Sequence, residues 1–153
     1  MHRRYPPALW FALALVAAGP ARGGDHSYRV ADPAYEAECA SCHIAYPPRL
    51  LPARSWDAVM AGLERHFGVD ASLDPAVAAE VTRFLHANAG RDRDPGRAPA
   101  RRITETRWFL HEHDEVPARV WKQASVKSRA NCAACHEGAA RGNYNERGVR
   151  LPQ

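Results

Sequence analysis

Residues 131–138 of the chain read NCAACHEG, and residues 39–43 read CASCH. Each stretch contains two cysteines that are separated by two residues and followed at once by a histidine. The two pentapeptides use all four cysteines of the 153-residue sequence. A pattern of two thiols and one imidazole that occurs twice and accounts for every cysteine indicates two equivalent sites.

Cys-x-x-Cys-His is the attachment signature of c-type haem. Two thiols add to vinyl groups on one porphyrin edge, and the adjacent histidine binds the iron. The sequence therefore predicts two covalently bound haems, each with a cysteine pair and a histidine iron ligand: Cys39, Cys42 and His43 for one, and Cys132, Cys135 and His136 for the other.

Other uses of the cysteines fit less well. Paired zinc knuckles are separated by roughly 15 to 20 residues, whereas Cys42 and Cys132 are 90 positions apart. A thioredoxin-like dithiol needs one such pair in a βαβ setting, and no strand pattern surrounds either motif. Two disulfides do not require a histidine after each pair.

The N-terminus predicts export. Residues 1–23 have a basic start, an eleven-residue apolar stretch and then small residues and helix breakers, which is typical of a cleaved signal peptide. Eleven apolar residues are too few to span a bilayer, which needs roughly 20. We expect cleavage near Gly23 and Gly24 and a periplasmic protein, with no stable membrane insertion after cleavage.

The net charge gives no support for nucleic-acid binding. The formal charge of the whole chain is +4. Loss of the three arginines in residues 1–23 lowers it to +1, because that segment carries no other charged residue. The remaining arginines are interspersed with aspartates and prolines, as in a solvated linker.

The pattern along the chain predicts a mainly helical protein. Helix start signals precede four apolar segments, at Asp32-Pro33, Ser55, Asp74-Pro75 and Thr104, and no alternating strand pattern appears. A Pro, Gly and Arg-rich stretch separates the two motifs. We predict two small cytochrome c-like lobes of short helices and loops: residues 24–90, a linker at 91–101, and residues 102–153.

A second axial ligand decides what each haem iron can do. Met60 is the only methionine after residue 23, so at most one iron has a methionine ligand. On a helix that starts at Ser55, His66 lies at the edge of the apolar face and is the candidate for the first lobe. His86 lies away from the apolar face of its predicted helix and is expected at the surface.

Two neighbouring histidines compete in the second lobe. On a predicted helix over residues 104–115, His113 lies beside the apolar face, and His111 points away from it. We therefore favour His113 and leave His111 open, together with swapped ligation between the lobes. Surface arginines are further candidates to pair with haem propionates: Arg49, Arg54, Arg65, Arg101 and Arg102.

The chain resembles the bacterial dihaem cytochrome c family of small periplasmic electron carriers. The resemblance depends on CASCHIAYPPRLLPARSW and GLERHFGVDASL in the first lobe, and on RITETRWFLHEHDEVP and NCAACHEGAARGNY in the second. It implies two bis-histidine haems, His43 with His66 and His113 with His136. It also implies redox partners such as a small oxygen-binding monohaem cytochrome or a membrane cytochrome b.

The predicted function is electron transfer through two bis-histidine haems, with no catalytic residues and no enzymatic activity. An alternative in the same class is the dihaem electron-entry subunit of a periplasmic nitrate reductase. Two alternatives in other classes are a dihaem peroxidase and a gas-binding haem protein, both of which need an accessible iron.

Overall fold

The computed structural model describes Tyr28 and residues 32–152, so the predicted signal peptide at residues 1–23 lies outside the described residues. The described part is helical and contains no strand beyond isolated bridges, which confirms the mainly α class. Its α-helices are α1 (Pro33–Cys39), α2 (Ala53–Met60), α3 (Pro75–Asn88), α4 (Arg107–Glu112) and α5 (Ala118–Trp121). Short 3₁₀ helices connect them at Pro48–Leu50, Leu63–Arg65, Ile103–Glu105, Cys132–Ala134, Ala139–Arg141 and Glu146–Gly148.

Helix α1 delivers the first cysteine pair. The Asp32 side chain accepts a hydrogen bond from the Tyr35 amide at 2.8 Å, and Pro33 occupies the first turn, as the sequence predicts. The helix ends at Cys39, so CASCH runs from its last residue into the following turn. Tyr35 is buried and anchors α1 on the first hydrophobic cluster.

The first hydrophobic cluster lies between α1, α2 and α3. It consists of Tyr35, Leu51, Trp56, Val81 and Leu85, all nearly inaccessible to solvent. The indole of Trp56 donates to the Pro48 carbonyl at 2.7 Å, so its polar atom is satisfied inside the cluster. Gly90 lies against the backbone next to this cluster. A β-carbon at this position would lie 2.1 Å from the Arg49 carbonyl oxygen, so no larger residue fits without a shift of the backbone.

Helix α2 is shorter than predicted. It starts at Ala53, two residues before the expected Ser55, and ends at Met60 instead of continuing to Phe67. Gly62 separates it from the 3₁₀ turn at Leu63–Arg65. Phe67 then has a positive φ of 52°, which no continuous α-helix accommodates. His66 therefore lies in a turn beyond α2, whereas the sequence predicts that it lies on the face of a continuous helix.

The predicted linker at residues 91–101 is bonded to α2. Arg54 donates from Nε and from an Nη atom to the Asp92 carboxylate, and also to the carbonyls of Asp94 and Arg97. Asp94 in turn pairs with Arg107 of α4 at 3.3 Å. A single guanidinium thus folds residues 92–97 against the first lobe.

The second half has its own small group of buried residues: Phe109, Val120, Val126 and Ala139. Its first α-helix starts later than predicted, because Thr106, not Thr104, caps α4 by accepting from the Phe109 amide at 3.1 Å. Ile103 packs on the first cluster instead. The lobe boundaries at residues 90 and 102 stay predictions.

Direct contacts join the two halves. The Tyr46 hydroxyl donates to the Ala130 carbonyl at 2.8 Å, and the Tyr28 amide donates to the Gly142 carbonyl at 2.6 Å. The Arg102 guanidinium lies 4.0 Å from the centre of the Phe67 ring. None of the described helices combines the length and hydrophobicity needed to cross a bilayer.

Candidate haem sites

The first site contains a facing pair of imidazoles. The His43 and His66 ring centroids are 6.2 Å apart, with the ring planes inclined by 31°. His43 follows α1, and His66 follows the 3₁₀ turn at Leu63–Arg65. The structure therefore brings together the two histidines that the sequence assigns to this lobe.

A hydrogen bond sets the tautomer of His43. Its Nδ1 lies 2.7 Å from the Ile44 carbonyl oxygen, which can only accept, so Nδ1 carries the proton. The lone pair of the neutral ring is then on Nε2, the atom available to a metal. The Tyr46 ring stacks on the imidazole with centroids 4.7 Å apart. These two contacts fix the direction in which His43 presents Nε2.

A tight turn places His66. The His66 amide donates to the Leu63 carbonyl, and its own carbonyl accepts from Val69. Burial, followed by the nearby His43 and Arg102, lowers the pKa of His66. The ring is consequently neutral at pH 7 and keeps a free lone pair for a metal.

The second site repeats the arrangement. The His113 and His136 ring centroids are also 6.2 Å apart, with ring planes inclined by 73°. His113 is the C-cap of α4 rather than a helical residue, and its Nδ1 donates to the Phe109 carbonyl at 2.9 Å. The Phe109 ring stacks on it at 4.0 Å. Each candidate pair thus comes from a single half of the chain.

The remaining histidines of the described residues lie apart from these pairs. The His111 side chain is 81% exposed and lies 3.8 Å from the Asp114 carboxylate. His86, on α3, donates to Asp57 of α2 at 2.6 Å, in agreement with its predicted surface position. Between the two neighbours in the second half, the geometry favours His113 over His111.

Two buried polar atoms at the His136 site lack a hydrogen-bond partner among the described residues. They are Nδ1 of His136 and the Tyr144 hydroxyl. The two rings are 5.4 Å apart. Burial and the neighbouring His113 lower the pKa of His136, so this ring is also neutral near pH 7.

The cysteines are free thiols in two separate pairs. Burial raises the pKa of Cys39 and of Cys132 to about 11, and it also raises the pKa of Cys135. A redox-active dithiol requires a lowered thiol pKa, because the thiolate is the nucleophile. The environment therefore opposes thioredoxin-like chemistry.

The residues at both sites fit a c-type haem. Two imidazoles that bind one metal ion from opposite sides at about 2 Å have ring centroids roughly 6 Å apart, which matches both pairs. Large apolar side chains are exposed beside the sites, Phe67 next to His66 and Leu110 near His113. A cavity of about 240 Å³ is lined in part by His113 and by the apolar side chains of Phe109, Leu110 and Trp121. A large apolar disc would cover these surfaces.

The sequence places Phe109 beside His113, but it assigns neither Phe109 nor Tyr46 a role in orienting an imidazole. Phe109 lies four positions before His113, a spacing at which aromatic side chains meet on a helix. Tyr46 lies three positions after His43, but its partner Ala130 is 84 positions away. The contact between Phe109 and His113 had a local sequence signal, whereas the bond from Tyr46 to Ala130 had none.

The candidate propionate partners occupy different surroundings. Arg54 is engaged by the linker, and Arg65 pairs with Glu64 at the surface. The Arg101 guanidinium lies near Gly62, and Arg102 lies over Phe67 beside the first site. The positive charge of Arg102 also contributes, after burial and His43, to the lowered pKa of His66. Propionate binding by these arginines stays a prediction.

The chain matches a known family model. The model described as dihaem cytochrome c matches residues 35–144, a range that includes both Cys-x-x-Cys-His motifs. The family implies two c-type haems, and this chain has the four cysteines for their covalent attachment: Cys39, Cys42, Cys132 and Cys135. No curated protein matches the sequence.

Solved structures have the same fold. A diheme cytochrome c from Rhodobacter sphaeroides is 46% identical, with a TM-score of 0.69 over 77% of this chain and 100% of the other. A crystal structure of DHC purified from Rhodobacter sphaeroides is 48% identical, with a TM-score of 0.67 over 76% and 99%. The diheme cytochrome type c from Shewanella baltica OS155 is 42% identical, with a TM-score of 0.69 over 78% and 92%. The match to the family model and these structures show that the chain belongs to the dihaem cytochrome c family.

Proposed function

We propose that the protein is a periplasmic electron carrier with two bis-histidine haems. His43 and His66 bind one iron, and His113 and His136 bind the other. The observation that supports this assignment best is the repeated 6.2 Å separation of two imidazole rings at two separate places in the fold. Family membership supports the class of protein, and the histidine pairs support the ligation.

The haem iron supplies one-electron chemistry by changing between the ferric and ferrous states. The protein's part is to hold two neutral imidazoles in fixed orientations. The carbonyls of Ile44 and Phe109 keep the Nδ1 proton on His43 and His113, so Nε2 faces the site. A haem held by His43 and His66, or by His113 and His136, would have two imidazoles on its iron and would leave no position there for a substrate.

Redox partners follow from the same proposal. We infer a small oxygen-binding monohaem cytochrome or a membrane cytochrome b as candidate partners, on the family resemblance. A cavity of about 1020 Å³ between the linker, α2 and α4 is lined by more arginines than acidic residues. Arg54, Arg102 and Arg107 pair with Asp92, Glu105 and Asp94. The lining still carries a net positive charge after these three ion pairs are formed, and an acidic surface on the partner would complement that charge.

Carbon monoxide tests the proposed ligation. The reduced holoprotein should keep its low-spin visible spectrum when CO is added, because both axial positions of each iron are filled. A redox titration followed by visible and EPR spectroscopy should show two one-electron steps with low-spin ferric signals. Immediate CO binding at one iron would contradict the proposal and favour a peroxidase or a gas-binding protein.

A further inference from the structure

Tyr46 lies between the two haem sites. Its ring stacks on the imidazole of His43 with centroids 4.7 Å apart and planes inclined by 28°. Its hydroxyl donates a hydrogen bond to the Ala130 carbonyl at 2.8 Å, across 84 positions of sequence. One side chain therefore touches an iron-ligand candidate of the first site and the backbone of the segment that leads into the second motif.

The Ala130 carbonyl connects directly to the second site. It also accepts a bond from the Cys132 amide at 3.0 Å and lies 3.6 Å from the Cys132 sulfur. Cys132 is the first attachment cysteine of the second motif. Tyr46 and this cysteine thus share one acceptor, and a continuous set of contacts runs from His43 through Tyr46 to Cys132.

Tyr46 is itself held in place from the other side. Its backbone carbonyl accepts a 2.7 Å bond from the hydroxyl of Tyr35, a buried residue of α1. Rotation of the Tyr46 side chain away from the junction would break the bond to Ala130 and the stack on His43.

We propose that Tyr46 is the positioning residue that couples the two haem sites. It sets the place of the second attachment segment relative to His43 and forms a protein route for electron exchange between the sites. One electron leaves one iron and reaches the other, so one is oxidised and the other reduced, while Tyr46 keeps its electrons and its proton. This inference rests on the proposed electron-transfer function.

The test compares two substitutions that each remove one hydroxyl from the holoprotein. Tyr46→Phe keeps a ring against His43 and removes the bond to Ala130. Thr82→Val is the matched control, because it removes a half-buried hydroxyl that donates within α3, to the Ala78 carbonyl. Pulse radiolysis injects one electron per molecule, and visible absorption follows its redistribution between the haems.

We expect Tyr46→Phe to slow the redistribution severalfold and to change the separation of the two midpoint potentials, with both haems still low-spin. Thr82→Val should redistribute the electron at the rate of the unmodified protein. Incorporation of 4-aminophenylalanine at position 46, which again supplies a donor, should restore the rate. If Tyr46→Phe does not yield holoprotein, incorporation of 4-fluorophenylalanine at position 46 serves as the second variant, because it keeps the ring, fills the space of the hydroxyl and donates no hydrogen bond.

Two results separate the possible failures. If Tyr46→Phe redistributes the electron at the normal rate with unchanged potentials, Tyr46 has only a structural role and the inference is wrong. A lower urea midpoint for unfolding of the Tyr46→Phe variant would not change that conclusion. If the unmodified protein shows no exchange between the haems, or binds CO, the proposed function itself fails. The second result does not depend on any substitution.

Discussion

At the residue scale, the four candidate iron ligands differ in how the protein holds them. His43 and His113 each donate from Nδ1 to a backbone carbonyl and stack on an aromatic ring. His136 has a buried Nδ1 without a partner among the described residues. In the first half the oriented ring is His43, the histidine of the Cys-x-x-Cys-His motif. In the second half it is His113, which precedes the motif. The two sites are therefore alike in composition and different in which histidine is fixed.

Substitution of single histidines tests the ligand assignment. His66→Ala and His113→Ala should each convert one haem to a five-coordinate or water-bound form that binds CO on reduction, because one axial position becomes open. His111→Ala is the matched control for His113→Ala, since its side chain is exposed and two residues away. Visible and EPR spectra of the ferric protein provide the measurement. An unchanged low-spin spectrum in His113→Ala, with a changed spectrum in His111→Ala, would reverse the assignment.

At the element scale, short helices and turns place the site residues more than long helices do. His66 directly follows the 3₁₀ turn Leu63–Arg65, and His113 directly follows α4. Helical periodicity selected the neighbour that lies beside His136, because α4 still orients the turn that follows it. The predicted linker has a defined path, since Arg54 bonds to it.

Removal of the Arg54 side chain should loosen the linker. Arg54→Gln loses the ion pair with Asp92 and bonds to two backbone carbonyls. We expect amide hydrogen exchange in residues 92–97 to become roughly three to ten times faster, the effect of one or two lost hydrogen bonds. Arg83→Gln, at an exposed position of α3, is the control and should leave this exchange unchanged. Equal protection in both variants would show that Arg54 does not order the segment.

The same contact predicts a pH dependence with a definite sign. The hydrogen bond from Arg54 lowers the native pKa of Asp92 below its usual value of about 3.9. The ordering it confers is therefore complete above about pH 4 and is lost as the pH falls through the lower native pKa. Hydrogen exchange in residues 92–97 should therefore become faster as the pH falls through this range. In Asp92→Asn this pH dependence should be absent. A loss that instead begins as the pH rises above neutrality would contradict the sign.

At the scale of the whole molecule, the two halves form contacts near both sites. Arg102 of the second half lies over Phe67 beside the first site, and Tyr46 reaches the segment before the second motif. The arginine-lined cavity lies at the same junction. A partner that docks there would contact both halves of the protein.

The charge of this cavity should control reactions with small redox ions. Arg93→Glu should slow oxidation of the reduced protein by ferricyanide, an anion, roughly twofold to fivefold at low ionic strength, and should accelerate oxidation by the cobalt tris-phenanthroline cation. Arg83→Glu carries the same charge change at a position that does not line the cavity. Stopped-flow rates against salt concentration provide the measurement. Equal effects of the two variants would mean that net charge, not the cavity, controls the reaction.

The sequence by itself determined the haem class and the helical class of the protein. Two Cys-x-x-Cys-His motifs are local patterns, because a porphyrin edge demands a fixed spacing of the thiols and the adjacent histidine. Caps such as Asp32 and Asp74 are equally local, and α1 and α3 begin where the sequence predicts. Such features depend on residues within one or two turns of the chain.

Only the tertiary structure decided how the histidines pair and how the halves meet. His43 meets His66 across the end of α2, and Tyr46 meets Ala130 across 84 positions. The path of the linker depends on one arginine whose partners lie about forty residues away. These contacts form when distant segments pack together, and no period or spacing in the sequence encodes them, since their geometry is set by where each helix stops.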